Sequence, residues 1–415
     1  MIARSPRLAV AIAAVCVVAL SVAAVSVPWP RLLASKRYSD ALKEATGVGA
    51  RGMISGETPN VAWDTADPEQ EGLSGVALDS LLETLERRTM ALLVVRNGNL
   101  VYEWYGPGHS PNSRFSTAAL AKAVVGTMVL LEMAADGLVG LDEPASRYIP
   151  VWRNDQERAR ITLRQLASHS SGLDNVRFPP SREEDAWFRT VPAWHRFYFK
   201  NADQRFRLAV TTAPLLFPPG SNHLYSGVGY YALAYALSAA LTSQSGEMLR
   251  FIAQRVYGPL GIPPDAWQIS YGHAWAQDGL TLYALGSGGS LTARAAARIG
   301  QAVLEQSNGA LAPLWDSVAT RATRRSESDP LAHVTPHFGW WGNEERAWPS
   351  LPPDALVGLG AGNKVVLVVP SRQTVVVHLG NARSGPFFPA DAEGPLENEL
   401  FTPLSRTLRL GTEQQ

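Results

Sequence analysis

The chain has 415 residues, of which 46% are hydrophobic and 18% charged, a composition typical of a globular protein with one large domain or two. Its 37 basic and 37 acidic side chains cancel, and no basic run carries interleaved aromatic residues, which argues against nucleic-acid binding. The only cysteine is Cys16, so an intramolecular disulfide is excluded, and the eight histidines are scattered without zinc-site spacing.

The N-terminus contains a long uncharged stretch. Residues 8–27 carry no charge and follow Arg4 and Arg7. This length is close to a membrane span of ~20 residues and long for the apolar region of a signal peptide. Residues 1–30 are therefore predicted to be a signal anchor or a cleaved signal peptide. Both alternatives predict an exported domain at the periplasmic side of the inner membrane, anchored there or released after cleavage.

Residues 31–65 contain early prolines and then many Gly, Ser and Thr residues, which predicts a linker, and residues 66–415 are predicted to form one domain. Leucines at helical spacing predict a helix ending near Arg88. The pair Asn97-Gly98 separates two runs of strand formers, at 91–96 and 99–105, which predicts a hairpin with a type I′ turn.

The stretch that follows is an apolar helix with one cation. Ser116 or Thr117 is predicted to cap its N-terminus and Gly137 to end it. Lys122 is the only charged residue between 118 and 131. Burying an ammonium group costs several kcal/mol unless the group is paired or neutralised. Lys122 therefore either extends to the surface or is held in the helix for chemistry.

The rest of the chain alternates between types of element. Apolar periodicity and glycine stops predict helices at 161–172, near 225–241, at 246–257 and at 293–305, the last capped by Thr292. Residues 175–222 are predicted to be a loop-and-helix region that could cover a pocket, and 286–292 a tight glycine turn. Late strands are predicted at 338–341, 363–369 and 374–379.

This order of elements predicts the fold class. Strands, a long helical middle and further strands favour an α+β fold in which the late strands pair with the Asn97-Gly98 hairpin in one antiparallel sheet flanked by helices. The middle, about 118–285, becomes a mostly helical subdomain inserted between the sheet strands. A cleft between sheet and subdomain is the expected ligand site.

Several short motifs occur in a fixed order between about 66 and 380. With them, the chain resembles the serine β-lactamase and penicillin-binding-protein superfamily, most closely its class C-like branch with esterases, D-Ala-D-Ala peptidases and 6-aminohexanoate-dimer hydrolases. The motifs are Arg114-Phe115-Ser116 before x-x-Lys122, Leu141-Asp142-Glu143-Pro144, Leu166-Ala167-Ser168-His169-Ser170-Ser171-Gly172-Leu173, Pro219-Gly220 before Tyr225-Ser226, Pro259-Leu260-Gly261-Ile262, Gly288-Gly289, Gly339-Trp340-Trp341 and Val368-Val369-Pro370-Ser371.

The resemblance implies a β-lactamase/transpeptidase-like fold and three catalytic positions. The nucleophile of the family's Ser-x-x-Lys motif falls at Ala119, its helper base at Lys122 and its tyrosine at Tyr225. A free phenol has a pKa near ~10, and a nearby ammonium group stabilises the phenolate. Lys122 and Tyr225 are therefore expected to act as a couple, although Tyr225 could instead be a core residue at a helix start.

The same resemblance implies a set of substrate and oxyanion contacts. The asparagine that usually follows the tyrosine motif is replaced by Gly227. The third motif, often Lys-Thr-Gly, falls near 358–362, so Gly360, Ala361 and Gly362 are its expected backbone contacts. The N–H of Ala119 keeps its place as an oxyanion donor. His169 belongs to a segment that is structural in the family, so a buried, hydrogen-bonded histidine is expected there.

Two functions remain open at this point. In the first, the chain is a serine-hydrolase-family domain that has lost turnover, because a methyl group at 119 cannot attack a carbonyl, and it binds a ligand in the old cleft. In the second, it is an active esterase, amidase or β-lactamase whose serine was replaced by Ala119. The expected partners are a small-molecule amide or ester, or a cell-envelope peptide, with membrane contact through the N-terminal segment. No nucleic acid, no metal and no cofactor are expected.

Overall fold

The computed structural model describes residues 61–176, 192–243, 247–305, 309–315, 334–381 and 396–410. The predicted N-terminal signal or anchor and most of the predicted linker lie outside the described residues. Within the described ranges, one stretch is long and apolar enough to cross a membrane, Ala118–Ala135, and 72% of its apolar window is buried inside the protein. It is the core helix introduced below.

The strands alternate with helices along the chain. The strands are β1 Thr89–Arg96, β2 Asn99–Tyr105, β3 Arg114–Ser116, β4 Trp267–Ile269, β5 Trp275–Gln277, β6 Leu280–Leu282, β7 Gly289–Thr292, β8 Thr335–His337, β9 Trp340–Gly342, β10 Leu356–Gly360, β11 Lys364–Val369 and β12 Thr374–Gly380. The main helices are α1 Gly75–Leu85, α2 Ala118–Ala135, α3 Leu163–Ala167, α4 Ala193–Lys200, α5 Arg205–Thr211, α6 Gly227–Thr242, α7 Met248–Phe251, α8 Ala293–Glu305 and α9 Thr402–Leu408.

Seven strands form the main antiparallel sheet, in the order β2-β1-β12-β11-β10-β9-β8. The predicted pairing of the late strands with the hairpin is confirmed, since β1 lies between β2 and β12. The predicted hairpin turn is confirmed as well, because Asn97 and Gly98 both have positive φ, 49° and 85°. Such angles match the right-handed twist of the two strands they join.

The sheet has a different apolar layer on each face. Alternate residues of β1 divide between them: Leu93 and Val95 join the core that contains α2 and α8, while Leu92 and Val94 join the core that contains α1 and α9. This alternation follows from the two-residue period of a strand. The face toward α2 is the one that bears the candidate site.

The middle of the chain is less purely helical than predicted. Residues 289–292, predicted as part of a glycine turn, instead form β7, which pairs with β3 and β4 in a second small sheet. β5 and β6 form a two-stranded sheet of their own. Short strands buried among helices lack a long alternating pattern, so periodicity does not reveal them. The predicted cap of α8 is confirmed, because Thr292 Oγ1 accepts from the Ala295 N–H at 3.2 Å.

The predicted cap of α2 is wrong. Ser116 belongs to β3, and Thr117 makes no side-chain cap bond. The helix begins instead as the 3-10 turn Ala118–Leu120, widens into a π turn over Lys122–Thr127, and becomes α-helical over Met128–Ala135. Its predicted end is confirmed, since Gly137 is left-handed with φ of 70°.

The wide turn has a visible cause. The hydroxyl of Thr127 donates to the carbonyl of Lys122 at 2.8 Å and accepts from the N–H of Gly339 at 2.9 Å. A Cβ on Gly339 would lie 2.4 Å from the carbonyl carbon of Lys122, so only glycine permits this approach. The sheet therefore fixes the helix backbone at Lys122.

Candidate active site

Lys122 lies at the centre of the buried site. Its side chain is 3% exposed, and its Nζ donates to the carbonyl of Gly286 at 2.8 Å. The same nitrogen lies 4.8 Å from the ring centre of Tyr225 and 5.2 Å from that of Tyr230. No ion pair joins Lys122 to a carboxylate in the described ranges, and burial lowers its pKa to about 7. Lys122 therefore exchanges a proton near neutral pH.

Tyr225 is held beside the lysine by its neighbours. Its ring lies 4.7 Å from the ring of His169, and the next residue, Ser226, caps α6 by accepting from the Gly229 N–H at 2.9 Å. The tyrosine is thus fixed at a helix start, as the sequence predicts. The structure brings Lys122 and Tyr225 together.

His169 is a buried residue that supports this arrangement. It is 1% exposed, and its Nδ1 accepts from the Ser226 N–H at 3.1 Å. The expected buried, hydrogen-bonded histidine is thus confirmed at Nδ1, while Nε2 has no hydrogen-bond partner among the described residues. Burial, with smaller contributions from His223 and Lys122, holds the pKa of His169 well below its ordinary value. α3 ends before this point, and His169 itself is left-handed, with φ of 61°. The helix predicted to extend to Gly172 is therefore shorter than expected.

Ala119 lies on the turn that opens α2, and this turn is attached to the small second sheet. The preceding Ala118 has φ of 46°, an angle that costs energy for a residue with a Cβ. Its carbonyl accepts from the Gly288 N–H at 3.3 Å, and the Thr117 N–H donates to Gly289 at 3.0 Å. The strained residue is therefore Ala118, directly before Ala119, and Ala119 carries a methyl group at the position that the resemblance assigns to the nucleophile.

The third-motif strand packs directly against that turn. A Cβ on Gly360 would lie 2.5 Å from the carbonyl oxygen of Thr117 and 2.9 Å from the backbone nitrogen of Leu120. A Cβ on Gly358 would lie 2.9 Å from Leu120 Cδ1. These distances leave no room for side chains, so the two glycines of β10 permit the approach of sheet and turn.

A cation lies beside this strand, on the next one. Lys364 of β11 is directly opposite Gly360 in the register, so its side chain lies on the face of the sheet toward the turn. Its Nζ donates to the carbonyl of Ala361 at 2.8 Å, close to Gly362, and burial lowers its pKa. Sequence reasoning missed Lys364 because only the strand register reveals this position.

Gly227 differs from Gly360 in its surroundings. A Cβ there would meet a single atom within ordinary contact, Asn175 Oδ1 at 3.7 Å, so the position has room for a side chain. The Gly227 N–H donates to that same oxygen at 3.0 Å. An amide from a distant loop thus lies beside the position where the family has its asparagine. Asn175 also went unnoticed in the sequence, since nothing local marks it.

The tryptophans near the site differ in how deeply they are buried. Trp340 and Trp341 are 0% and 2% exposed, so they are core residues. Trp341 stacks on His169 with ring centres 5.6 Å apart and planes 6° apart. Trp194 is partly exposed on α4.

The fold is an antiparallel sheet with a mostly helical subdomain, and a lysine lies one turn beyond the first residues of a buried helix. Together they place the protein in the class of β-lactamase and transpeptidase folds. The family model described as Beta-lactamase matches residues 77–397, and the chain belongs to this family of serine hydrolases.

Individual relatives are distant. A putative D-alanyl-D-alanine carboxypeptidase of Escherichia coli K12 is 24% identical over 224 residues, 48% of each chain, so the protein spans about half the length of the curated relatives it matches. A putative 6-aminohexanoate-dimer hydrolase from Bacillus anthracis superposes with a TM-score of 0.56 at 19% identity, covering 85% of this chain and 87% of the other. A β-lactamase/D-alanine carboxypeptidase from Yersinia pestis, complexed with citrate, gives 0.54 at 19% identity, covering 80% and 100%.

Proposed function

We propose that this protein binds an amide- or ester-bearing ligand in the cleft between β10 and the helical subdomain and does not turn it over. The observation that carries the proposal is the methyl group of Ala119 on the turn before Lys122. A methyl group has no lone pair with which to form an acyl-enzyme, and removing a nucleophile that works together with its base costs roughly a million-fold in rate. The site would retain binding without the chemical step.

The ligand class follows from the family. The relatives named above are called a D-alanyl-D-alanine carboxypeptidase and a 6-aminohexanoate-dimer hydrolase, names that refer to amide-bonded substrates. We extend that class to this chain: a small amide or ester, or a peptide of the cell envelope. Lys122, Tyr225 and the backbone of Ala119 are the proposed contacts at the reacting carbonyl, with Gly227, Gly360, Ala361 and Gly362 along the walls.

A second candidate function is favoured by one specific observation. The pKa of Lys122 lies at about 7, where an amine accepts a proton at neutral pH. This value suits a working base. In this alternative, the sequence is the serine-to-alanine form of an active serine hydrolase.

The decisive experiment restores the missing oxygen. Ala119→Ser is compared with the original chain and with the double variant Ala119→Ser/Lys122→Met, using a chromogenic ester, a cephalosporin and a 6-aminohexanoate dimer. Intact-mass spectrometry reports acyl adducts, and absorbance reports turnover. We expect adducts and hydrolysis with Ala119→Ser, and none with the original chain or the double variant.

Three other results would change the proposal. Turnover by the original chain would show that residue 119 is not the nucleophile position. Binding of these compounds by the original chain, with no adduct in Ala119→Ser, would favour a pure binding protein. Hydrolysis by Ala119→Ser at the rates of a dedicated enzyme would favour the second candidate.

We also propose that the domain acts outside the cytoplasm, on the strength of the uncharged stretch at 8–27. A C-terminal alkaline phosphatase fusion, active only after export, is expected to be active. A cytoplasm-only reporter that is active at the same position would contradict this localisation.

A further inference from the structure

A buried pair of a histidine and a carboxylate lies close to the start of α6. The Nε2 of His195, on α4, lies 3.1 Å from Asp174 Oδ2, and the two residues are 3% and 8% exposed. An ionised carboxylate only accepts, so Nε2 carries a proton and donates it. The Nδ1 of His195 is buried and has no hydrogen-bond partner among the described residues. The polar contact that this side chain makes there is therefore with Asp174 alone.

Such a pair is a costly way to join two elements. Removing a carboxylate from water costs several kcal/mol, and a partner repays this cost only when the geometry is good. Replacing a buried charged pair by apolar side chains of similar volume is often neutral or stabilising. In the described ranges, Asp174 forms no ion pair with a lysine or an arginine. Stability alone therefore gives little reason for this pair, and its location gives a better one.

The backbone of Asp174 connects the pair to the cap of α6. Its N–H donates to the Pro214 carbonyl at 2.9 Å, and its carbonyl accepts from the Ser226 hydroxyl at 3.3 Å. Because the Ser226 proton goes to this carbonyl, the lone pairs of Ser226 Oγ are left for the Gly229 N–H, which is the cap bond. Asp174 thereby fixes the direction of the hydroxyl that begins α6.

Asn175 makes a second contact at the same helix start. Its Oδ1 accepts from the Gly227 N–H at 3.0 Å, a group that has no partner within the helix. The two residues after Tyr225 are therefore both bound by the loop that His195 holds. The Tyr225 ring centre lies 4.8 Å from the amine of the catalytic helix, so a shift of this loop would change that distance.

The chain on both sides of Tyr225 has another support, which does not depend on the pair. The Leu224 N–H donates to the His169 carbonyl at 2.9 Å, and the Ser226 N–H donates to its Nδ1 at 3.1 Å. These bonds remain when His195 is replaced. Loss of the pair should therefore displace the tyrosine and leave the helix start attached.

We infer that Asp174 and His195 are positioning residues for Tyr225. His195 fixes the carboxylate, Asp174 fixes the cap, and the cap holds the phenol beside Lys122. The inference rests on the proposed function, because it assumes that Tyr225 contacts the reacting carbonyl. A misplacement of about 1 Å at a reacting group costs on the order of a hundred-fold in rate, so a pair that never touches the ligand can control the chemistry.

Two measurements test the pair, and one of them is independent of turnover. Fluorine NMR of the full chain labelled with fluorotyrosine reports the surroundings of Tyr225, whose signal is assigned with Tyr225→Phe. Ester hydrolysis in the Ala119→Ser background reports kcat and KM. The variants are Asp174→Ala, the conservative Asp174→Asn and the apolar pair Asp174→Leu/His195→Phe. Asp136→Ala, which breaks a partly exposed ion pair directly after α2, is the matched control.

We expect Asp174→Ala to shift or broaden the Tyr225 signal and to lower kcat about ten- to a hundred-fold, with KM little changed. Asp174→Asn keeps an acceptor for His195 Nε2, so it should preserve most of both readouts. The apolar pair should unfold at or above the midpoint of the original chain and still show the same shift and loss. It keeps the test decisive if Asp174→Ala does not fold. Asp136→Ala should change neither readout.

Three results would overturn the inference. The first is a Tyr225 signal and a kcat that Asp174→Ala and the apolar pair leave unchanged. The second is a loss confined to variants with a lowered unfolding midpoint, which indicates a purely structural role. The third is an equal loss in Asp174→Asn and Asp174→Ala. Absence of turnover in Ala119→Ser bears on the proposed function alone, because the NMR measurement on the original chain still decides the inference.

Discussion

The two walls of the candidate site differ in what they keep. The helical wall, defined by Lys122, Tyr225, His169 and Gly286, retains an amine with a pKa at about 7 and a buried hydrogen-bonded support. The sheet wall, defined by residues 358–362, presents glycine and alanine. One wall thus keeps a buried amine beside a tyrosine, while the other has no polar side chain of its own within 358–362 and has Lys364 of the neighbouring strand beside it.

The comparison shows that the departures from the family pattern have different causes. Gly360 has no side chain because the turn at 117–120 occupies that space, so its identity is a packing requirement. Gly227 has room and lacks a side chain without steric need. Under the proposed function, Ala119 lacks only the reacting oxygen. Three departures that look alike in the sequence therefore have different structural settings, and the proposed loss of turnover rests on Ala119 alone.

The largest expected effect concerns the charge on the helical wall. Lys122→Met removes an amine whose pKa falls from 10.5 to about 7 on burial. At about 1.4 kcal/mol per pKa unit, this fall destabilises the folded state by several kcal/mol when the amine is protonated. Between these pH values the unfolded chain binds the proton and the folded chain does not, so the stability of the original protein rises with pH. Lys122→Met should therefore be more stable than the original at pH 7 and below, and this advantage should shrink toward pH 10.5.

Urea denaturation at several pH values measures this difference in the free energy of unfolding. Lys200→Met, an exposed lysine on α4, is the control and should show no such dependence. A difference between Lys122→Met and the original that stays constant with pH would show that Lys122 is not desolvated.

The next effect tests the packing of the sheet wall. Gly360→Ala places a Cβ 2.5 Å from a backbone oxygen, so the turn must shift, at a cost of about 2–3 kcal/mol. The measurement is the midpoint of thermal unfolding. An Ala variant as stable as the original would mean that turn and strand are farther apart than described.

A smaller effect is expected from the support of the helical wall. His169→Leu leaves the buried Ser226 N–H without its acceptor and forces a branched residue into φ of 61°, which should cost about 2 kcal/mol. His169→Asn keeps an acceptor and tolerates this backbone, so it should be the less destabilised of the two. Chemical denaturation compares them, and the reverse order would exclude the proposed role of the ring nitrogen.

The smallest effect is expected when the same Gly→Ala substitution is made at Gly227, on the helical wall. Gly227→Ala adds a Cβ whose nearest neighbour is 3.7 Å away, and it restricts the unfolded chain, so stability should change by less than about 1 kcal/mol, in the favourable direction. Thermal unfolding beside Gly360→Ala gives the contrast directly. Equal destabilisation by both substitutions would remove the distinction between the walls.

Much of the fold could be predicted from local signals, and the site only in part. Asn97-Gly98 and the late strands define the sheet, and Lys122 and Tyr225 are marked by motifs. Asn175 and Lys364 were missed, because a loop contact and a strand register depend on the folded chain. The cap assigned to Ser116 or Thr117 was wrong, since a sequence shows a hydroxyl but not the backbone direction that decides whether it caps.

The predicted helical middle concealed β4, and the predicted glycine turn concealed β7, because three or four residues are too few for a periodic pattern.

The pairing of β1 with β12 has a consequence for biogenesis. Val94 pairs with Val376 in the register, so the hairpin of β1 and β2 keeps an open edge until the chain has been synthesised past residue 376. Contacts so remote in sequence are slow to form. Completion of the sheet is therefore a late event, and truncation before residue 374 would leave an aggregation-prone ribbon instead of a smaller folded domain.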